Sequence, residues 1–416
     1  MPKILKTSPL LAGSLVLLVG TMAANFGNYL YHLLMGRMLG PKDYGALTSL
    51  ISLAYLLSIV STTMSTTVVK FATRYKAKGD YESLSGFFKR LIKVFFVFGS
   101  AVLLFFVLAK NQIGVFLKLT DPFPVVWVGV WMSLSFLSFI NDGILRGFLK
   151  FSFLSLNGVW AAILKLGLAV ILVRAGWAVG GAVAAIALCA VFPYLLSFYP
   201  LRFLWFYKNG EKNVDWRGFI GYTAPVLVAT LGLTSLYSTD VILARHFLGT
   251  VESGLYAALA TMGKIVFFAS GVIPTVMFPL ISERFEKGKN YRKIITQALC
   301  LVLAECLAVS AIYFLFPQLM IELLYGSAYL RAAPFLGWFA VFISFYSLNN
   351  LLVNFFLSVG RVKMSWLPLV AAGLQAGLIW LFHQSINQII RVSLGVSVLL
   401  LAVLLVCYKQ NDKKRE

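Results

Sequence analysis

The sequence Arg37-Met-Leu-Gly40-Pro-Lys-Asp-Tyr-Gly45 lies between two long hydrophobic runs. A related stretch, Arg245-His-Phe-Leu-Gly249-Thr-Val-Glu-Ser-Gly254, also lies between two hydrophobic runs. In both, an Arg precedes a Leu-Gly pair, and a second Gly follows five residues after the first. Glycine tolerates positive φ, and proline fixes φ at the start of a turn. Each copy therefore predicts a short extramembrane hairpin that joins two membrane spans.

The two stretches belong to a longer internal repeat with a shift of about 210 residues. Residues 141–148 align with 349–356, a shift of 208. Internal repeats are common in transporters, which hold their substrate between the repeats near the middle of the membrane. We expect two halves of six helices each, residues 1–207 and 208–416.

The composition is that of a membrane protein. Hydrophobic residues make up 60% of the chain and charged residues 12%, whereas a soluble domain has about 25% charged residues. Mean hydropathy is +0.86. Apolar stretches of about 20 residues, long enough to span a bilayer, recur throughout. The sequence predicts 12 spans, six per half: 10–35, 44–69, 88–109, 123–141, 152–173, 177–201, 218–243, 254–281, 294–316, 332–357, 363–382 and 387–407.

The net charge of +21 is distributed unevenly between the two sides of these spans. With the N-terminus in the cytoplasm, 26 of the 36 Lys and Arg residues fall in inner segments and eight in outer ones, and two lie within spans. This is the positive-inside rule, and it predicts a multi-pass protein of the cell membrane with both termini in the cytoplasm. The basic segments also favour anionic lipid headgroups as partners. Nucleic acid is not an expected partner.

The first span carries a polar stripe: Thr21, Asn25, Asn28 and His32, at spacings of four, three and four. These positions share one helix face, so the stripe predicts a wet surface facing a cavity. Close packing against another membrane helix is the structural alternative. This span is too long for a cleavable signal, and we expect the mature protein to retain it.

Four ionisable residues lie within predicted spans: Lys165, Asp240, Lys264 and Glu305. A charge facing lipid is costly, so each is expected to face a cavity, another helix or a charge of opposite sign. Lys264 has no acidic residue within one helical turn, which favours an anionic ligand. We therefore expect Lys264 and Lys165 to bind substrate. Asp240 or Glu305 is expected to couple transport to a cation gradient or to lock a closed state, unless it forms a structural ion pair.

Arg37 and Arg245 occupy matching positions at the predicted outer ends of their spans. They are candidates to receive the same anion as it leaves. Anchoring of the long side chains at the membrane surface is the alternative interpretation.

Motifs of enzymes are missing from the sequence. It has no phosphate-binding Gly-rich loop, no Cys/His metal spacing and no paired outer carboxylates. The four cysteines lie within spans and are expected to be buried free thiols. We therefore expect neither enzymatic activity nor a bound cofactor, and coupling to a Na⁺ or H⁺ gradient remains open.

Asn28 followed by Arg37-Met-Leu-Gly40-Pro-Lys-Asp-Tyr-Gly45 resembles the opening signature of polysaccharide-biosynthesis membrane proteins. These are O-antigen-type flippases of the multidrug/oligosaccharidyl-lipid/polysaccharide exporter superfamily. The resemblance extends over the whole chain in length, span number and two six-helix halves. It implies an all-α protein with two pseudo-symmetric six-helix bundles around a cavity that opens alternately to each side. The implied substrate is a polyprenyl-pyrophosphate-linked oligosaccharide, and other polysaccharide-assembly proteins are candidate partners.

Two other functions compete with the flippase interpretation. A cation-coupled multidrug exporter of the same superfamily would favour an acidic cavity, whereas this chain has two cations and two anions within spans. A membrane glycan polymerase or glycosyltransferase would need a sizeable outer loop or an acidic metal motif, and neither is present in the sequence. The flippase is therefore the favoured prediction, followed by the exporter.

Overall fold

The protein is all-helical in the residues that its computed structural model describes, which are 9–207, 216–287 and 289–413. No β-strand occurs in these ranges. Short 3₁₀ helices connect some of the longer helices, and a π-helical turn covers Val173–Trp177. The α-helices in chain order are α1 (Pro9–Lys78), α2 (Tyr81–Leu108), α3 (Lys110–Phe116), α4 (Pro124–Gly147), α5 (Phe151–Leu172), α6 (Ala178–Ser197), α7 (Trp216–Phe247), α8 (Thr250–Ser270), α9 (Val272–Glu286), α10 (Arg292–Leu315), α11 (Pro317–Tyr325), α12 (Ala333–Ser358), α13 (Trp366–Leu381) and α14 (Ile386–Lys413).

Ten helical stretches in the described ranges are long and apolar enough to cross a membrane. Two of them, Val19–Lys78 and Phe151–Ser197, are 60 and 47 residues long, and one span needs only about 20. Each is interrupted at a glycine with positive φ, Gly40 (69°) or Gly176 (91°). Counting two spans in each, the ten stretches correspond to the 12 predicted spans. The predicted all-α multi-pass fold is confirmed.

The two predicted hairpins are much shorter than the sequence indicates. At the first, a single non-helical residue, Gly40 (φ 69°, ψ 173°), separates the two parts of α1, and Pro41 begins the second part. A proline suits this place because the first turn of a helix leaves its backbone N–H groups unbonded in any case. At the second, only Leu248 and Gly249 separate α7 from α8, and Gly249 has an extended backbone with φ −61°. Positive φ is therefore used in only one of the two copies.

Contacts between helices divide the chain into two units. Unit 1 is Met1–Leu39 with Leu57–Ala224, and unit 2 is Gly40–Leu56 with Pro225–Glu416. The units differ from the sequence halves 1–207 and 208–416, because residues 40–56 pack with the second unit. The halves describe an internal repeat, which stays a prediction, whereas the units describe packing.

In unit 1, aromatic side chains of α2 and α4 pack against each other. Phe95 packs edge-to-face on Phe139 with ring centroids 4.7 Å apart, and Phe98 packs the same way on Phe136 at 4.9 Å. Such pairs contribute about 0.5–1.5 kcal/mol each beyond their burial. One turn further along, Ser133 Oγ donates a hydrogen bond to the Gly99 carbonyl across 2.6 Å, so the two helices lie very close. Helices α5 and α6 of this unit pack together, and α6 also packs against α4.

Unit 2 is centred on α12, which packs against α8, α9, α10 and α14. Glycines allow the close approach: a Cβ on Gly263 of α8 would lie 2.6 Å from the Phe339 ring of α12. Polar side chains also cross between these helices. Ser270 Oγ donates to Ser347 Oγ at 3.0 Å, and Asn349 Nδ2 donates to the Ser397 carbonyl at 2.9 Å. Lys264 on α8 and Glu305 on α10 are therefore carried by closely packed helices.

Candidate functional site

Lys264 is held between two tyrosine rings within unit 2. Its Nζ lies 4.7 Å from the centroid of Tyr55 and 5.7 Å from that of Tyr237. Tyr55 belongs to the second part of α1, and Tyr237 belongs to α7. A ring face attracts a cation through its quadrupole, an interaction that gains strength where water is excluded. The two rings therefore stabilise the ammonium group without neutralising its charge.

Asp240 is the acidic residue whose charge interacts with Lys264. It is 1% exposed, and both of its carboxylate oxygens accept hydrogen bonds from other groups. Oδ2 accepts from Tyr256 Oη at 2.6 Å, and Oδ1 accepts from its neighbour's backbone N–H, that of Val241, at 2.8 Å. Because neutral donors occupy the carboxylate, Asp240 attracts Lys264 at a distance and leaves the ammonium protons available.

Lys165 has an analogous setting in unit 1. Its Nζ donates a hydrogen bond to Asn28 Oδ1 and lies 4.7 Å from the centroid of the Tyr31 ring. Tyr31 is 1% exposed, and its hydroxyl donates to the Ala182 carbonyl of α6 at 2.9 Å. This bond fixes the ring over which the ammonium group lies. A neutral amide and an aromatic face thus hold the Lys165 cation in place.

Each unit therefore carries one lysine over a tyrosine at the same distance, 4.7 Å. Neither lysine has a carboxylate in ion-pair contact among the residues that the structure describes. Sequence reasoning identified both lysines and missed the tyrosines. A signal for one was available, since Tyr31 lies three residues after Asn28 and so shares its helix face. Tyr55 and Tyr237 are remote from Lys264 in sequence, and no local pattern connects them with it.

The predicted polar stripe of the first span only partly assembles around Lys165. Asn28 binds this lysine directly, and His32 packs edge-to-face on the Tyr31 ring, with centroids 5.6 Å apart. Asn25 is exposed. The structure thus brings Asn28, His32 and Lys165 together through Tyr31.

The two predicted outer arginines have different surroundings. Arg245 is 2% exposed, and its Nη1 donates to the carbonyls of Lys42 and Thr250, both at 3.2 Å, and to Ser253 Oγ at 3.0 Å. It therefore connects both copies of the turn sequence within unit 2. Arg37 is exposed and belongs to unit 1. Burial and bonding to backbone carbonyls give Arg245 a structural role that the sequence did not indicate.

Glu305 is half-buried on α10, and its Oε1 accepts no hydrogen bond from any described residue. Its charge interacts with the neighbouring thiol of Cys306, which is buried. Within the described part of the chain, no group of three or more His, Cys, Asp or Glu side chains could hold a metal ion.

Comparisons with known proteins match this architecture. The family model described as polysaccharide biosynthesis protein matches residues 10–285. An uncharacterized membrane protein of Methanocaldococcus jannaschii, MJ1068, is 29% identical over 160 residues. That match covers 36% of this chain and only 30% of the relative's length.

Solved structures that share the fold include the following two. One is the inward-facing conformation of a multidrug resistance MATE family transporter of the MOP superfamily, with a TM-score of 0.71, 16% identity and coverage of 93% of this chain and 94% of that one. The other is the lipid II flippase MurJ in an inward closed conformation, with a TM-score of 0.71, 12% identity and coverage of 94% of this chain and 87% of that one. At these identities the likeness concerns the fold. The chain has the fold of MOP superfamily transporters. Because the family model matches residues 10–285, more than half of the chain, the chain belongs to the polysaccharide biosynthesis protein family.

Proposed function

We propose that this protein is a flippase for a polyprenyl-pyrophosphate-linked oligosaccharide, which it moves from the inner to the outer leaflet by alternating access. One observation carries the proposal: each unit has a lysine in a membrane span that lies over a tyrosine and has no carboxylate in ion-pair contact within the described residues. Ionisable groups within spans commonly line substrate pathways, and an anionic ligand would pair with these two cations. A pyrophosphate supplies that anion.

In this mechanism, Lys264 and Lys165 bind the pyrophosphate oxygens, and the polyprenyl chain remains in lipid. Hydrogen bonds from a charged donor contribute about 1.5–3 kcal/mol each. The tyrosines keep each ammonium group in place between transport cycles, when no anion is bound. Asn28, which binds Lys165, and His32, which packs on the Tyr31 ring, offer polar groups to the sugars, and Asn25 extends the same stripe. The exposed Arg37 is a further candidate to contact the anion as it leaves.

Coupling to a Na⁺ or H⁺ gradient forms part of the proposal. Asp240 is buried, and Glu305 has an oxygen without a partner among the described residues, so each can change its charge or bind a cation. We place the protein in the cell membrane with both termini in the cytoplasm, as its charge distribution predicts. Anionic lipids and other polysaccharide-assembly proteins are its proposed partners. The protein is proposed to move its substrate without altering it chemically.

A cation-coupled multidrug exporter is the second candidate, and the likeness to a multidrug resistance MATE family transporter supports it. An exporter of organic cations would need an accessible carboxylate. Asp240 does not meet this need, because both of its oxygens accept hydrogen bonds from internal donors, so in this second candidate the role would fall to Glu305.

The deciding experiment measures on which leaflet the lipid-linked oligosaccharide lies in cells that lack this protein. Accumulation on the inner leaflet, with surface glycan lost and then restored by the intact gene, is the expected result. Lys264→Glu should fail to restore the glycan although the protein is expressed. Arg391→Glu is a matched control, because it reverses an exposed cation of the same unit. Normal glycan together with lost drug resistance would establish the exporter instead.

A further inference from the structure

A cavity of about 270 Å³ with several polar lining residues lies within unit 1, between α1, α4, α5 and α6. It is found where α4 and α6 end and α5 begins, at the end of the unit predicted to face the cytoplasm. Lys165 is not among its lining residues, but Ala161 and Ala24, one helical turn from Lys165 and Asn28, are, so the cavity lies next to the lysine site. Its walls carry Asp142 and Arg146 from α4, Asn157 from α5 and Tyr194 from α6.

Two oxygen acceptors in this cavity are unused. Asn157 is 7% exposed, and its Nδ2 donates to the Pro193 carbonyl at 3.1 Å, which fixes the orientation of the amide. Its Oδ1 is buried and has no partner among the described residues. The Asp142 carboxylate likewise accepts no hydrogen bond and forms no ion pair within the described chain. A buried acceptor without a partner costs about 1–3 kcal/mol, so Asn157 Oδ1 favours a ligand that donates hydrogen bonds, and the half-buried Asp142 carboxylate can accept from the same ligand.

The cavity also offers donors. Arg146 follows Asp142 by one helical turn and is exposed, so its guanidinium can reach a ligand at the mouth of the cavity. The Tyr194 hydroxyl can donate or accept. The Tyr194 ring and Pro193 add an apolar surface to the wall. Donors, acceptors and a small apolar face together match a sugar ring, which has hydroxyl groups around its edge and C–H groups on its faces.

The volume of the cavity favours a sugar ring over a bare cation or a larger ligand. Pockets for drug-sized molecules are about 300–1,000 Å³, and the volume per water molecule in the liquid is about 30 Å³. The cavity is therefore much larger than a bare cation and slightly below the range for larger ligands. It suits a single sugar ring. Arg146 also disfavours a metal cation, because its charge would repel one.

We propose that this cavity binds the first sugar of the lipid-linked substrate before transport, with Asp142 and Asn157 accepting from its hydroxyl groups and Arg146 donating to it. This proposal rests on the proposed function, to which it adds a site for the first sugar at the end of unit 1 that is predicted to face the cytoplasm. Its place at the predicted cytoplasmic end is where a substrate arriving from the inner leaflet would enter. The cavity would then make the protein selective for glycan-bearing lipid over bare polyprenyl pyrophosphate.

The test compares the binding of three lipids to the intact protein purified in detergent. They are short-chain polyprenyl pyrophosphate alone, the same lipid with one N-acetylglucosamine, and the same lipid with one glucose. We expect the wild-type protein to bind at least one sugar-bearing lipid about tenfold more tightly than the bare lipid, since unmatched polar groups penalise the analogue that lacks the hydroxyls. Asp142→Asn and Arg146→Gln should reduce this ratio to near one and leave the affinity for bare lipid unchanged. Glu322→Gln, an exposed carboxylate of unit 2, is the control and should keep the ratio.

Each outcome has a distinct meaning. Equal binding of all three lipids by the wild-type protein overturns the sugar site and leaves the flippase proposal standing. A sugar preference that survives both substitutions also overturns it, because the sugar then binds elsewhere. Binding of none of the lipids removes the proposed function itself. If Asp142→Asn instead abolishes a stabilisation of the wild-type protein by NaCl relative to choline chloride, the cavity is a sodium site and the sugar proposal fails.

Discussion

Gly45 and Gly254, the second glycines of the two related turn sequences, lie against each other in unit 2. A Cβ on Gly45 would come within 2.8 Å of the Gly254 nitrogen, and a Cβ on Gly254 would come within 1.7 Å of the Pro41 carbonyl oxygen. These are backbone atoms, which cannot rotate away as the end of a side chain could. The two copies of the turn sequence therefore pack together, and this contact joins residues 40–56 to the rest of unit 2.

Gly254→Ala should therefore destabilise the protein. Forcing a methyl group into a filled space costs about 1–3 kcal/mol, and here the obstacle is backbone. Thermal unfolding of the protein in detergent should show a lower midpoint. Gly377→Ala on α13 is the control, because a Cβ there would meet nothing within 4 Å and alanine favours a helix by about 1 kcal/mol over glycine. Equal midpoints for the two variants would contradict the packing argument.

Arg245→Gln should lower stability more than it lowers transport by each folded molecule. The substitution removes the hydrogen bonds that the charged guanidinium donates to the Lys42 and Thr250 carbonyls and to Ser253 Oγ, and a hydrogen bond of a charged group contributes about 1.5–3 kcal/mol. Arg391→Gln, at an exposed position of the same unit, should leave the unfolding midpoint unchanged. Transport normalised to folded protein separates the two roles. If Arg245→Gln unfolds normally but does not transport, Arg245 contacts the anion as its sequence position suggested.

Much of this fold is predictable from the sequence because the membrane allows few alternatives. Apolar runs of sufficient length must be helices, since backbone groups in lipid have no other way to satisfy their hydrogen bonds. The break at Gly40 could be predicted from the Gly-Pro pair. The sequence did not reveal that this break is a single residue, or that Arg245 bonds to the carbonyl of Lys42, 203 residues away. Such contacts depend on how helices pack, which a local pattern does not encode.

The candidate site was predictable to a similar extent. A lysine within an apolar run is conspicuous, and both Lys165 and Lys264 were found in this way. The groups that stabilise them were not, because Asn28 lies 137 residues before Lys165 and an aromatic residue in an apolar helix gives no distinctive signal. The cavity at Asp142 was also missed, since it depends on four helices meeting at one end of unit 1.

Tyr55→Leu should weaken the binding of a pyrophosphate lipid, whereas Tyr55→Phe should preserve it more fully. Phenylalanine keeps the ring face that lies 4.7 Å from Lys264 Nζ, and leucine removes it. A cation–π contact contributes about 0.5–2 kcal/mol, which corresponds to about twofold to thirtyfold in affinity. Tyr31→Leu and Tyr31→Phe provide the matched pair for Lys165, and Phe should again bind more tightly than Leu. Equal affinities for Phe and Leu at both positions would exclude a role for the ring faces.

Asp240→Asn combined with Glu305→Gln should uncouple transport from the cation gradient. In liposomes with an imposed Na⁺ or pH gradient, wild-type flipping should accelerate, and the double variant should flip at the same rate with or without the gradient. The reason is that both span carboxylates then lose the ability to bind a cation or a proton. Tyr256→Phe offers a sharper test of Asp240 alone, because it removes the 2.6 Å hydrogen bond to Oδ2 and leaves the carboxylate in place. An oxygen released in this way should bind its cation at a lower concentration, so the gradient needed for half-maximal acceleration should fall. A double variant that still responds to the gradient would show that coupling, where it exists, resides in other residues.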